Sequence, residues 1–158
     1  MTAIFPGAFD PVTAGHANII ERAVSMFDLL IVAVLKNSAK NSLFNVEERV
    51  RHLNAVAYGM SNIEVIAYSG LLSELAAYRG AVIIRGLRSA ADAEYEFIVA
   101  NAHKITRPRV ETLFMICEPQ FSNISSTVAK EIASYGGDVS SIVPPVVNEA
   151  LKNVFKED

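Results

Sequence analysis

Three short stretches of this chain bring together residue types that could handle phosphate. The first, FPGAFDPVTAGH from Phe5 to His16, leaves an apolar run through Pro-Gly and reaches a histidine where an amphipathic segment begins. Pro and Gly end an extended segment, and the apolar spacing of ANIIERAVSMF is helical. His16 therefore falls at a helix N-terminus, where unpaired N–H groups and the positive end of the helix dipole favour an anion, although taken alone an ordinary surface histidine at a helix start is the favoured reading. Gly7 permits a tight turn and a close backbone approach. Asp10 reads as a helix cap more readily than as a Mg²⁺ ligand, while Thr13 suits either a cap or a hydroxyl donor to phosphate. Thr13 and His16, three residues apart, share a helix face and would point into one cleft.

The second stretch, IIRGLRSAADAEYE, places Arg85 and Arg88 around Gly86. Each guanidinium offers a planar fork matched to phosphate oxygens, and the glycine lets backbone amides reach a ligand. On spacing alone, pairing of these arginines with Asp92, Glu94 or Glu96 is an equal alternative. The third, FSNISSTVAKE, gathers hydroxyls at a helix start with Lys130 one turn on; taken alone, N-capping by Ser125 or Ser126 is the favoured reading of it. Neither GxGxxG nor GxxxxGK[ST] follows the first apolar run, and the sequence shows no convincing catalytic triad.

Positioning these stretches falls to alternating apolar and amphipathic segments. Strands are expected at Ala3–Phe5, Leu29–Leu35, Ile63–Tyr68, Ala81–Ile84 and Thr112–Cys117, with helices near His16–Phe27, Val46–Tyr58, Leu71–Tyr78 and Ala93–Ile105. Asn45 and Glu48 have capping-box spacing. Two further helices, about Ser125–Ser134 and Pro145–Phe155, are separated by a stop at Gly136–Asp138. Apolar strands alternating with helices imply βαβ units and a parallel sheet covered on both faces. Ligands of such sheets bind outside the carboxyl ends of the strands. Pro6–His16, Lys36–Lys40, Gly70–Leu72, Arg85–Arg88 and Glu118–Thr127 would each follow a strand, so every unusual cluster falls at one edge.

The composition agrees. At 158 residues the chain makes one domain, and 51% hydrophobic with 20% charged residues is globular composition. A net charge of −3 offers no basic stripe for nucleic acid, whereas local cations suit a small anionic substrate. The longest apolar run, LLIVAVL, is far short of the roughly 20 residues of a membrane span. The N-terminus has no signal-like pattern, and the lone Cys117 in TLFMICE reads as a buried apolar residue. A cytoplasmic location is expected, without membrane or nucleic-acid partners.

PGAFDPVTAGH resembles the first signature, [T/H]-x-G-H, of a nucleotidyltransferase superfamily, and ISSTVAK resembles its second, I-S-S-[ST]-x-x-[RK]. With LFNVEERV, IIRGLRSAADAEYE and GGDVSSIVPP between and after them, the chain is similar over almost its whole length to bacterial phosphopantetheine adenylyltransferases. That resemblance implies a single-domain, three-layer α/β nucleotide-binding fold with a five-stranded parallel sheet of Rossmann type. It implies adenylyl transfer from ATP to 4′-phosphopantetheine, giving 3′-dephospho-CoA and pyrophosphate, with Mg²⁺, a homohexamer and inhibition by coenzyme A. Carried over position by position, His16, Lys40 and Arg88 would be catalytic. Ala8, Lys40, Leu72 and Arg85 would bind phosphopantetheine. ATP would lie on Ala8, Phe9, His16, Gly86, Leu87, Arg88, Glu96, Phe121, Ser122, Asn123, Ile124, Ser125, Ser126 and Thr127; no metal ligands are assigned.

Two positions depart from the family pattern. Ala8 stands where Thr or Ser is usual, removing a donor worth roughly 1–3 kcal/mol if nothing replaces it. Asn123 stands where an aromatic or apolar residue is common beside the adenine segment. Nicotinamide or nicotinate mononucleotide adenylyltransferases are the nearest alternative, although they often carry His where this chain has Thr13. A polyol-phosphate cytidylyltransferase fits less well, and a weakened nucleotide- or coenzyme A-binding regulator rests on Ala8 alone.

Overall fold

The architecture is taken from a computed structural model, which describes residues 1–36 and 41–156. Five strands, β1 Thr2–Gly7, β2 Leu29–Leu35, β3 Ile63–Tyr68, β4 Ala81–Leu87 and β5 Thr112–Ile116, form one sheet in the order β3-β2-β1-β4-β5. Every pairing is parallel. Six helices connect and flank them: α1 Ala14–Met26, α2 Val46–Val56, α3 Leu72–Arg79, α4 Ala90–Thr106, α5 Ser126–Ser134 and α6 Pro145–Phe155. Alternation along the strands divides two cores. Leu30, Val32 and Val34 of β2 join Phe5, Ile19, Ile20 and Leu151 on one face, while Ile31 and Ala33 join Ile4, Ile83, Leu75 and Ala76 on the other.

Strand order reverses between β1 and β4. Pairing of β1 with β2 runs the full length, from Thr2 opposite Leu29 to Gly7 opposite Val34. Pairing with β4 stops at Ile4 opposite Ile83. Beyond Ile4 the two strands separate, and a crevice opens at the carboxyl edge where such folds bind ligands.

The expected elements are all present, with shifts that have local causes. Arg85 to Leu87 does not form a loop after β4 but extends it, because Arg85, Gly86 and Leu87 pair with Phe114, Met115 and Ile116. Likewise β1 continues through Pro6, whose missing N–H matters little once pairing with β4 has ended. Helix α4 begins at Ala90, not Ala93, since the Ser89 hydroxyl accepts the Asp92 N–H. The Asn45–Glu48 capping box forms as expected, and Gly80 closes α3 in the left-handed region at φ 58°.

Candidate active site

At the crevice, the loop after β1, the ends of β4 and β5 and the first turns of α1 and α5 enclose a cleft of about 450 Å³. Gly7, Ala8, Thr13, His16, Arg85, Gly86, Arg88, Glu96 and Ile124 to Thr127 line it. Both signature stretches and the arginine pair thus meet, as the sequence leads one to expect.

The loop after β1 is held tightly. Phe9 adopts a left-handed backbone at φ 48° and buries its ring at 2% exposure, edge-on to Phe5 at 5.5 Å and to His16 at 5.1 Å. A Cβ on Gly7 would lie 2.9 Å from that ring, so Gly7 is there to admit Phe9. Asp10, which the sequence suggests as a helix cap, instead binds across the molecule. Its carboxylate accepts the N–H groups of Leu43 and Phe44, each at 2.9 Å, and pairs with Lys130 at 3.0 Å. The carboxyl is 7% exposed as a residue, and burial would raise its pKa, but the two backbone donors and the ammonium outweigh that and lower it.

Thr13 is the N-cap of α1 and forms a reciprocal box with His16. The Thr13 N–H donates to His16 Nδ1 at 3.0 Å, and Thr13 Oγ1 lies 3.0 Å from the same nitrogen. An Nδ1 that accepts carries no proton, so the neutral ring bears its hydrogen on Nε2, at the opposite side. Loss of hydration in this half-buried position, followed by the Arg88 cation, pushes His16 down to about 4 from 6.5. The ring is therefore a neutral donor throughout the physiological range. Because the folded value is the lower one, the unfolded chain takes up this proton first. Stability from the neutral ring is full above about pH 6.5 and declines as pH falls towards 4. A ¹⁵N titration should accordingly show His16 as the Nε2–H tautomer at pH 6 and protonated only near pH 4; a midpoint close to 6.5 would contradict this environment.

Both cleft arginines are paired. Arg85 binds Glu96 bidentately, Nε and Nη2 each at 2.6 Å, and reaches the Pro6 carbonyl at 3.3 Å. Arg88 engages Asp92 through Nε at 2.9 Å and Nη2 at 3.2 Å, and donates from Nη1 to the Ile124 carbonyl. Of the two sequence alternatives, the contacts present are those of carboxylate pairing, with Glu96 and Asp92 as the partners. At the start of α5, Ser125 caps the Val128 N–H and Ser126 donates to the Pro11 carbonyl at 2.7 Å. Thr127 lines the cleft with its hydroxyl in no hydrogen bond among the described residues.

Several expected residues lie elsewhere. Leu72, first in α3, is buried against Ile31 and Ala33 in the second core, not at the cleft. Phe9 does not line the cleft, and its ring belongs to the core. Leu87 and the segment Phe121 to Asn123 flank the cleft without lining it; Phe121 ends a short 3-10 turn, Pro119–Phe121. Lys40 falls outside the described residues. Conversely, Cys117 lines the cleft, with burial raising its thiol pKa. Arg49 of α2, 4% exposed, donates to the Ala8 carbonyl at 2.6 Å. Its signal was a cation three residues after Val46 and four before Leu53, on the apolar face of VEERVRHLNAV.

Residues 4–132 match the cytidylyltransferase-like family. The chain belongs to that family of nucleotidyltransferases. Over 156 residues, 98% of this chain and 98% of the other, it is 47% identical to the phosphopantetheine adenylyltransferase of Caldanaerobacter subterraneus subsp. tengcongensis, and it belongs with that enzyme's family. Two solved structures share the fold. One is a putative nicotinate-nucleotide adenylyltransferase from Vibrio parahaemolyticus, at TM-score 0.74 and 22% identity, covering 99% of this chain and 96% of that one. The other is the Plasmodium falciparum nicotinic acid mononucleotide adenylyltransferase complexed with NaAD, at TM-score 0.67 and 13% identity, covering 99% and 98%. At these identities they speak to the fold alone.

Proposed function

We propose that the protein transfers the adenylyl group of ATP to 4′-phosphopantetheine, giving 3′-dephospho-CoA and pyrophosphate in the penultimate step of coenzyme A synthesis. The observation that carries this reading is the 47% identity over 98% of both chains to a phosphopantetheine adenylyltransferase. The cleft supports it chemically. The attacking phosphate is already an anion at neutral pH, so the step needs no general base. What it needs is two anions held in line and donors aimed at the α-phosphoryl group and the departing pyrophosphate. His16 Nε2–H supplies a neutral donor for the charge that develops at the α-phosphate. Arg88, between α5 and the end of β4, serves the triphosphate, and Arg85 with Lys40 serves the phosphate of phosphopantetheine. The backbone of Ala8 and Phe9, with Gly86 and Ile124 to Thr127, frames the nucleotide.

Mg²⁺ belongs to this reading as part of MgATP. Among the described residues no cluster of three or more His, Cys, Asp or Glu could hold a metal, and Asp92 and Glu96 are engaged by arginines. That donor set fits an ion carried on phosphate oxygens and water, where it neutralises charge, better than one caged by protein. Coenzyme A, which contains the product's dephospho-CoA portion, would inhibit from the same cleft. A homohexamer is part of the proposal. Its support is an apolar face left open on α4, where Tyr95, Ile98 and Ile105 are 65%, 64% and 82% exposed, and a further exposed apolar residue, Ile116 of the edge strand β5, at 74%. Solution mass should be near six times 17.1 kDa and fall in Ile98→Asp. The reading places the enzyme in the cytoplasm without membrane or nucleic-acid partners; no described helix is long and apolar enough to cross a membrane.

The test is pyrophosphate release from MgATP with 4′-phosphopantetheine, nicotinamide mononucleotide or nicotinate mononucleotide as acceptor. Release with phosphopantetheine alone is expected; release only with a mononucleotide, or ATP binding without release, would replace the assignment. In the same assay Ala8→Thr should raise kcat/KM by about threefold or more if the missing hydroxyl contacts phosphate. No change would mean that neighbouring donors already fill that place.

A further inference from the structure

We infer that Arg49 is a positioning residue for the phosphate-binding loop, setting the Ala8–Phe9 peptide so that its N–H serves the substrate's phosphate, with the Arg49 cation behind it. The inference rests on the adenylyl-transfer reading above. Arg49 lies on α2, outside the cleft lining, and joins three segments. Nη1 donates to the Ala8 carbonyl at 2.6 Å and to the Leu35 carbonyl, the last of β2, at 3.4 Å; Nε donates to the Asn45 carbonyl at 3.4 Å. All three acceptors are neutral backbone oxygens.

A trans peptide is planar, with C=O and N–H on opposite sides. Anchoring the Ala8 oxygen towards α2 therefore turns the Phe9 N–H away from α2. Among the described residues that N–H has no hydrogen-bond acceptor, although the Phe9 ring is buried and its backbone is held at φ 48°. A left-handed phenylalanine with a free amide, beside cleft-lining Gly7 and Ala8, is costly unless something fixes it. The Arg49 bond to Ala8 fixes it from one side, and the Phe9 ring packed on His16 fixes it from the other.

Charge gives the second half. Arg49 is 4% exposed and takes part in no ion pair among the described residues. A buried cation without a carboxylate is expensive on its own, and its charge is screened little by water. Arg85 and Arg88 are each matched by a carboxylate, so among the described residues Arg49 is the uncompensated arginine next to the loop. An arriving phosphate on the far side of the Ala8–Phe9 peptide provides the missing negative charge. At this position, where the usual Thr or Ser is Ala8, the site then relies on a backbone donor polarised from behind.

The experiment compares binding of pyrophosphate, ATP and adenosine to the wild-type protein, Arg49→Gln and Arg49→Lys. The proposal expects Arg49→Gln to weaken pyrophosphate and ATP by about tenfold or more, with adenosine unchanged, and Arg49→Lys to recover part of the loss. A role confined to folding would instead lower the melting temperature and affect all three ligands alike, or none; either pattern overturns the inference. Should Arg49→Gln fail to fold, the Phe9 amide proton of the wild-type protein decides. It should move downfield on addition of pyrophosphate, and an unmoved Phe9 resonance in a protein that binds pyrophosphate rejects the inference. Wild-type protein that binds neither ATP nor pyrophosphate removes the adenylyl-transfer reading itself, a different failure from equal losses in the variants.

Discussion

Replacing His16 with alanine should lower kcat by about 100- to 1,000-fold while changing the ATP dissociation constant by less than about threefold. The asymmetry follows from the donor's place and charge state. With Nδ1 taken by the Thr13 N–H, the ring has only its Nε2–H to offer, and burial beside Arg88 keeps it neutral. A neutral donor adds little attraction for ground-state ATP, whose phosphates are served by cations. In the proposed reaction it would matter when charge grows on the α-phosphoryl oxygens during transfer, in a site partly withdrawn from water. Since the folded ring binds a proton only near pH 4, wild-type kcat should show no histidine limb between pH 6 and 8. Equal losses in turnover and ATP affinity would identify His16 as a binding group only.

Asp10→Ala should be the most destabilising of the single changes around the cleft, by about 3 kcal/mol, or a fall of roughly 10 °C in Tm. The carboxylate is nearly buried, and its removal strands two backbone N–H groups and the Lys130 ammonium together. Lys130 is only partly withdrawn from water, which keeps the figure below that of a wholly buried pair. Adding Lys130→Met to Asp10→Ala should restore part of the loss, because the double change removes the unpaired cation. The pH signature has a definite sign. Asp10's folded pKa lies below its ordinary value of 3.8, so its contribution is present above that value and lost as the solution is acidified below it. A loss confined to the double variant, or absent from Asp10→Ala, would show that Leu43, Phe44 and Lys130 find other partners.

Much of this was legible in the residues, for identifiable reasons. Buried parallel strands such as LLIVAVL are continuous apolar runs, and helices such as Val46–Val56 carry both their period and their cap in the sequence, so the order of elements could be written down before the fold was seen. The meeting of His16, Arg85, Arg88 and Ser125 followed from one rule about the carboxyl ends of strands. What could not be read were partners far apart in the chain. Asp10 looked like a local cap because a sequence shows the next helix and not Phe44, 34 residues on. Arg85 to Leu87 looked like a loop because the glycine there breaks the pattern, whereas β5 alongside keeps the strand going. Leu72 was drawn to the site by resemblance, and packing took its side chain into the second core.

The two arginine–carboxylate pairs of the cleft bear on which anions can enter. Glu96 on Arg85 and Asp92 on Arg88 occupy the very donors that a phosphate would use, so the cleft supplies its own negative ions. A small anion such as chloride or sulfate gains little by entering, since it would displace one tethered carboxylate to make a comparable bond. In the adenylyl-transfer reading a polyphosphate would reach several donors at once, His16 among them, and that surplus would offset the exchange. On that reading the pairs would act as a toll on simple salts, and the cleft would favour extended, multiply charged guests without needing a shape that excludes the rest.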